Sequence, residues 1–120
     1  MLHWVLIVLT AASPGQPHLA VTPAQDAADC ADKADLIRQV LTAGGYHIVA
    51  LDCGQTAVRM TPYRHGHDPD QVIHPYRVTL PGKDRPQDLV ITPLNGQPCQ
   101  PAPDAVPAVY CALSQQQVIK

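Results

Sequence analysis

The sequence predicts an α+β fold in which one N-terminal helix packs on a small, disulfide-stapled antiparallel sheet of about four to five strands. Thirteen prolines in 120 residues exclude a long helical bundle, because proline breaks helices. The stretch between Pro23 and Pro62 contains no proline and can hold a helix. Four cysteines in so short a chain indicate two structural disulfides.

Composition excludes several classes of protein. The chain is 46% apolar and 15% charged, which is too apolar for a disordered protein. Its net charge of −2 gives no electrostatic footprint for nucleic acid. There is no Phe and only one Trp, so the predicted core is small and aliphatic.

The N-terminal segment 1–24 is predicted to be a signal peptide and leader. Residues 2–12 form an apolar run that is shorter than the roughly 20 residues needed to span a bilayer. Small residues at which cleavage is expected follow at Ala12, Ala20 and Ala24. The mature protein is then periplasmic or secreted and has no stable membrane span. The alternative is a buried N-terminal strand of a cytosolic domain.

The segment 25–96 is predicted to hold the helix and the sheet. The helix begins with Thr22 as N-cap, Pro23 at the first helical position and Gln25 in a capping box. It ends at Gly44-Gly45, because glycine tolerates the left-handed conformation of a helix C-terminus. An apolar stripe at helical spacing faces the core: Cys30, Ala34, Ile37 and Leu41.

The strands are predicted from alternating apolar residues and turn residues. Residues 46–53 and 56–61 should form a hairpin across Gly54-Gln55. Residues 76–80 and 88–92 should form a second antiparallel pair. The segment 97–120 is predicted to hold a proline-rich loop followed by an edge strand over 108–113.

The spacing of the four cysteines contains no C-x-x-C pair, so neither a thioredoxin-type motif nor a zinc ribbon is indicated. Of the three pairings, we favour Cys30 with Cys53 and Cys99 with Cys111, because each closes a short loop. Each bond would contribute roughly 3 kcal/mol to stability in the chain-entropy model. The alternative is four reduced thiols in a cytosolic protein.

The order of a helix, Gly44-Gly45-Tyr46, and then strands resembles the PepSY-type domains of exported bacterial proteins. The resemblance covers about residues 32–95 and rests on packing and turn residues: Leu36, Val40, Leu41, Gly45, Tyr46, Val58, Tyr76, Val78 and Leu89 to Ile91. It implies a short helix that leads into a small antiparallel sheet. It also implies a binding or inhibitory module without catalytic residues.

The stretch 64–74 gathers three histidines and two aspartates within a short distance. Neutral imidazole and carboxylate are ligands for Zn²⁺ and Cu²⁺, so His65, His67 and His74 are the candidate metal ligands. The alternative is a solvated hairpin loop that binds nothing. Beyond Zn²⁺ or Cu²⁺ at this cluster, the sequence implies no cofactor.

The sequence offers few groups for catalysis. It contains no Glu, and neither Ser13 nor Ser114 lies in a Gly-x-Ser-x-Gly context. The sequence therefore predicts a small exported binding or accessory protein that is not an enzyme and whose protein partner is unknown. The binding surface is either the stretch 64–74 or the loop between Cys99 and Cys111. The alternative function is periplasmic metal binding or metal delivery.

Overall fold

A computed structural model describes residues 2–11, 17–62, 73–81 and 85–119. It has an α+β fold with one α-helix, a mixed six-stranded sheet and a separate two-stranded sheet. In chain order the elements are β1 (His3–Ala11), β2 (His18–Pro23), α1 (Ala27–Ala43), β3 (His47–Thr56), β4 (Arg59–Met60), β5 (His74–Leu80), a 3₁₀ helix (Pro86–Asp88), β6 (Val90–Pro93), β7 (Ala108–Ser114) and β8 (Val118–Ile119).

Strand β1 lies inside the larger sheet and pairs antiparallel with β2 on one side and β3 on the other. All five residues from Val5 to Leu9 are buried. Successive side chains of a strand point to opposite faces, so Ile7 and Leu9 enter one apolar cluster while Leu6 and Val8 enter another. Burial on both faces explains why this segment is a continuous apolar run rather than an alternating one.

The larger cluster joins the two halves of the six-stranded sheet, whose order is β3-β1-β2-β7-β5-β6. Residues of β1 and β2 pack there with residues of β5, β6 and β7. The sheet therefore curls so that one face of each half contacts the other. The two halves meet where β2 and β7 are parallel, at the single bridge between His18 and Leu113.

Helix α1 covers the opposite face of β1 and β3. Cys30 and Ala34 are buried there against Leu6 and Val8. The disulfide between Cys30 and Cys53, with an S–S distance of 2.09 Å, links the helix to β3. The predicted apolar stripe and this predicted pairing are both confirmed.

The predicted start of the helix is wrong, whereas its predicted end is confirmed. Thr22 and Pro23 belong to β2, and Asp26 caps the helix by accepting a hydrogen bond from the Asp29 N–H at 2.8 Å. At the other end Gly45 has a φ of +80°, which favours glycine. The N–H groups of Gly45 and Tyr46 bond back to carbonyls of the last helical turn, which terminates the helix.

The fold class is confirmed as α+β with two disulfides, but two of its details are wrong. The helix is not N-terminal, because β1 and β2 precede it. The sheet has six strands and is mixed, so it is larger than the predicted antiparallel sheet. Both differences have one cause, which is that residues 3–23 supply two strands of the sheet.

The predicted hairpin across Gly54 is also wrong. Gly54 lies within β3, where it pairs with Val5, and β4 pairs with β8 instead. Residues 3–11 provide a long apolar partner that aligns with all of β3, so the chain does not turn at Gly54. Strand β7 is not an edge strand, because it lies between β2 and β5. The predicted pairing of residues 76–80 with 88–92 is confirmed as β5 and β6.

The two interpretations of the N-terminal segment now predict different mature proteins. Cleavage after Ala12, Ala20 or Ala24 would in each case remove β1 from the fold. Retention of the segment keeps a strand that contributes to both apolar clusters. Within the described residues, no helix is long and apolar enough to cross a membrane.

Candidate functional site

The segment between Cys99 and Cys111 forms a loop that is attached to the sheet at three points. The second predicted disulfide is confirmed, with an S–S distance of 2.07 Å. Farther along the loop, the N–H groups of Ala102 and Val109 each donate to the carbonyl of the other residue, at 2.8 and 3.0 Å. The Arg77 guanidinium of β5 donates to the Pro98 carbonyl at 3.1 Å. The chain between Ala102 and Val109 is therefore held at both ends.

The tip of this loop, residues 105–107, is apolar and projects into solvent. Val106 is 90% exposed, whereas Leu36 and Val40 on α1 are 61% and 62% exposed. Ala105 and Pro107 flank Val106 and are exposed as well. The Ala105 N–H donates to the Ala102 carbonyl at 3.2 Å, which forms a turn before the tip. An apolar side chain is thus presented on a braced loop, an arrangement suited to recognition.

A small cavity of about 190 Å³ lies beside the loop tip, between β3 and the ends of β5 and β7. Its lining comprises Ala50, Asp52, Leu80, Pro81, Tyr110 and the residues from Ala105 to Ala108. Most of the lining residues are apolar, and Asp52 and Tyr110 are the two that have polar side chains. The loop tip and the cavity therefore form one continuous surface.

A larger open cleft of about 390 Å³ lies at the other end of β5. It is lined by His74, Pro75, Tyr76, Pro93, Asn95, Gly96, Gln117 and Val118. The Tyr76 hydroxyl donates to the Gln116 carbonyl at 2.6 Å, so this group is engaged within the protein. Burial raises the pKa of the Tyr76 phenol, and a hydrogen bond with the Val118 backbone partly offsets that effect. Tyr76 is therefore a neutral structural group at physiological pH.

The predicted metal ligands are only partly described. His65 and His67 lie outside the described residues, and His74 lies in β5 opposite Ser114. In the described ranges, no group of three or more His, Cys or Asp side chains is placed to hold a metal ion. Metal binding by residues 64–74 stays a prediction.

Gln116 is a buried polar residue that the sequence did not predict. Its side-chain amide accepts from the Val21 N–H at 2.8 Å and donates to the Val21 carbonyl at 2.9 Å. It also donates to the Thr61 carbonyl at 2.6 Å. The side-chain amide of Gln116 therefore makes the backbone hydrogen bonds to β2 that a neighbouring strand would make. It does so at Val21, three residues after His18, where β2 pairs with β7. In the sequence, Gln116 stands in a run of three glutamines, where nothing distinguishes it from a solvated residue.

His18 is a titratable group at the junction of the two halves of the sheet. It pairs with Thr10 of β1 and with Leu113 of β7. Burial lowers the pKa of the His18 imidazole from its ordinary value of 6.5. The folded state therefore binds this proton less readily than the unfolded state does.

We expect the free energy of unfolding to fall as the pH drops below 6.5, because protonation of His18 favours the unfolded chain. The stability contributed by the neutral His18 side chain is fully present above the pKa of His18 in the unfolded chain. It is lost as the pH falls through the lowered pKa of His18 in the folded protein. Urea denaturation at several pH values between about 5 and 7.5 measures it. Compared with wild type, H18Q should show a flatter dependence in this range. If the free energy of unfolding had the same pH dependence in wild type and H18Q, the effect could not be assigned to His18.

Comparison with protein-family models, curated proteins and solved structures finds no match for the chain. The resemblance to PepSY-type domains therefore stays an expectation. Of the residues that carry it, Val78 and Ile91 lie in the larger core cluster. Leu36, Val40 and Tyr46 are more than half exposed.

Proposed function

We propose that this protein is a small, non-enzymatic binding protein that acts in the periplasm or outside the cell. Its recognition element is the tip of the Cys99–Cys111 loop, residues 105–107. The observation that carries the proposal is the 90% exposure of Val106 on a loop that is braced by a disulfide and by paired backbone hydrogen bonds. The partner is a protein with an apolar pocket that admits a branched aliphatic side chain.

The bracing of the loop supports this function energetically. Association costs free energy when a mobile loop must be ordered, and a loop held in its bound shape avoids much of that cost. Full burial of a valine side chain contributes roughly 1.5–3 kcal/mol. Val106 is nearly fully exposed in the free protein, so almost all of this gain is available to a complex.

The two disulfides support a location outside the cytoplasm. Cys30–Cys53 and Cys99–Cys111 both lie in the folded structure, and the described residues include no free cysteine. Structural disulfides form and persist in oxidising compartments, whereas the cytosol keeps thiols reduced. A location outside the cytoplasm is therefore part of the proposal, and it does not require cleavage within residues 1–24.

The test is site-specific crosslinking in the organism that makes the protein. A photo-crosslinking amino acid at position 106 should yield one discrete protein adduct. The same group at Gln39, on the exposed side of α1, should not yield that adduct. With the purified partner, V106D should weaken binding by at least about tenfold, because a carboxylate cannot be buried unpaired without a large cost. A C99S/C111S variant should bind more weakly than wild type, since its loop is less ordered.

Two results would contradict the proposal. Equal crosslinking from positions 106 and 39 would show that the loop tip is no preferred contact. Unchanged affinity of V106D, with the fold verified by circular dichroism, would exclude Val106 from the interface.

A further inference from the structure

A tight turn over residues 94–97 follows β6 and leads the chain towards Cys99. The Gln97 N–H donates to the Leu94 carbonyl, which closes the turn. The two central residues both have a positive φ, +31° at Asn95 and +85° at Gly96. Asparagine and glycine are the residues that adopt this left-handed region most readily. The turn therefore accounts for the Asn-Gly pair at this place in the sequence.

The Asn95–Gly96 peptide carries the groups for a reaction within the chain. The backbone nitrogen of Gly96 attacks the side-chain carbonyl carbon of Asn95, Cγ, and a five-membered succinimide ring forms. The new bond joins the Gly96 nitrogen to Cγ. The bond from Cγ to the side-chain nitrogen breaks, and ammonia leaves with the proton of the Gly96 N–H. Glycine favours this attack because it has no side chain that obstructs the approach.

Water completes the reaction by opening the ring at one of its two carbonyl carbons. Opening at Cγ gives aspartate at position 95. Opening at the backbone carbonyl carbon gives isoaspartate, in which the main chain runs through Cγ and is one methylene longer. Either product carries a carboxylate where the protein had a neutral amide.

The structure leaves the reacting groups accessible. Asn95 and Gly96 are both exposed. A Cβ added to Gly96 would find no heavy atom within 4 Å beyond its chain neighbours, so the ring has room to form. In the described ranges, neither the Gly96 N–H nor the Asn95 side-chain amide has a hydrogen-bond partner. These groups therefore give up no hydrogen bond before the ring closes.

We propose that Asn95 is a site of spontaneous deamidation, which slowly converts the folded protein into a second form with a carboxylate in the cleft at the end of β5. Asn95 lines that cleft together with His74 and Gln117. It is the only asparagine in the chain, so the conversion has one site. The second form differs in the charge of the cleft wall, and as isoaspartate also in its backbone. This inference is independent of the proposed function of the loop.

The test follows the mass of oxidised wild-type protein during several weeks of incubation. At about 37 °C and about pH 7.5 the mass should rise by about 1 Da, because a hydroxyl replaces an amide NH₂. Electron-transfer fragmentation should place the change at position 95 and separate aspartate from isoaspartate. The rate should rise with pH, because the attacking nitrogen must lose its proton. N95Q is the matched control and should keep its mass, since glutamine would have to form a larger ring.

A second comparison tests whether the folded turn permits the reaction. The same chain in about 6 M guanidinium chloride, with its disulfides intact, gives the rate of the Asn-Gly peptide without the fold. We expect the rate in the folded protein to lie within about tenfold of that value, because exposed groups need little local opening to react. A folded protein that keeps its mass while the unfolded chain gains it would overturn the proposal. So would an equal gain in mass by N95Q.

Discussion

A variant that lacks residues 2–12 is expected not to fold, because it loses β1 from the interior of the sheet. The strand pairs with β2 and β3 along nearly its whole length. Its five residues from Val5 to Leu9 are no more than 6% exposed and contribute to both apolar clusters. Truncating one such side chain to alanine costs about 2–5 kcal/mol, and whole domains are stable by only about 5–15 kcal/mol.

A point variant measures the same contribution without removing the strand. I7A should lower the free energy of unfolding by about 2–5 kcal/mol, because Ile7 is fully buried. L36A removes a similar side chain that is 61% exposed and should change the free energy of unfolding by less than about 0.5 kcal/mol. Urea denaturation of oxidised protein measures both values. Cooperative unfolding of the truncated variant, or equal effects of I7A and L36A, would place residues 3–11 outside the core.

Q116M is expected to destabilise the protein by about 3 kcal/mol or more, because it leaves two buried backbone groups and one partly buried backbone group without their partner. These groups are the N–H and the carbonyl of Val21 and the carbonyl of Thr61. Methionine has nearly the volume of glutamine, so the effect reports lost hydrogen bonds rather than a cavity. Gln116 is only 2% exposed, so water has little access to replace the lost bonds.

The neighbouring residue provides the control for this prediction. Gln117 is exposed, and its hydrogen bond to the Thr61 hydroxyl is donated by its backbone N–H at 2.9 Å. Q117M should therefore change the free energy of unfolding by less than about 0.5 kcal/mol. A Q116M protein as stable as Q117M would show that β2 does not depend on the side-chain amide.

Local features of the fold were predictable from the sequence. The apolar stripe of α1 and its end at Gly44-Gly45 follow from helical periodicity and from the conformational freedom of glycine. The pairings Cys30–Cys53 and Cys99–Cys111 follow from short loops, which the fold indeed closes. The pairing of β5 with β6 follows from two alternating segments that are close in sequence.

Features that depend on distant contacts were not predictable. An apolar run buried on both faces has no period, so residues 3–11 do not distinguish a strand from an export signal. Strand β3 continues through Gly54 because it pairs with β1, and no residue near Gly54 in the sequence indicates this long-range pairing. In the candidate site, the disulfide-bound loop was among the expected surfaces, whereas the exposure of Val106 emerges only from the folded chain. Gln116 contacts Val21 across 95 residues of sequence.

The central claim is that the functional protein is disulfide-bonded and contains β1. Intact mass spectrometry of the protein from its native host, before and after reduction, tests it most directly. We expect a mass that includes residues 3–23 and increases by about 4 Da on reduction, two hydrogens for each disulfide. A chain cut after Ala12, Ala20 or Ala24 would contradict the claim, because β1 would be absent. A chain with four alkylatable thiols before reduction would contradict it as well.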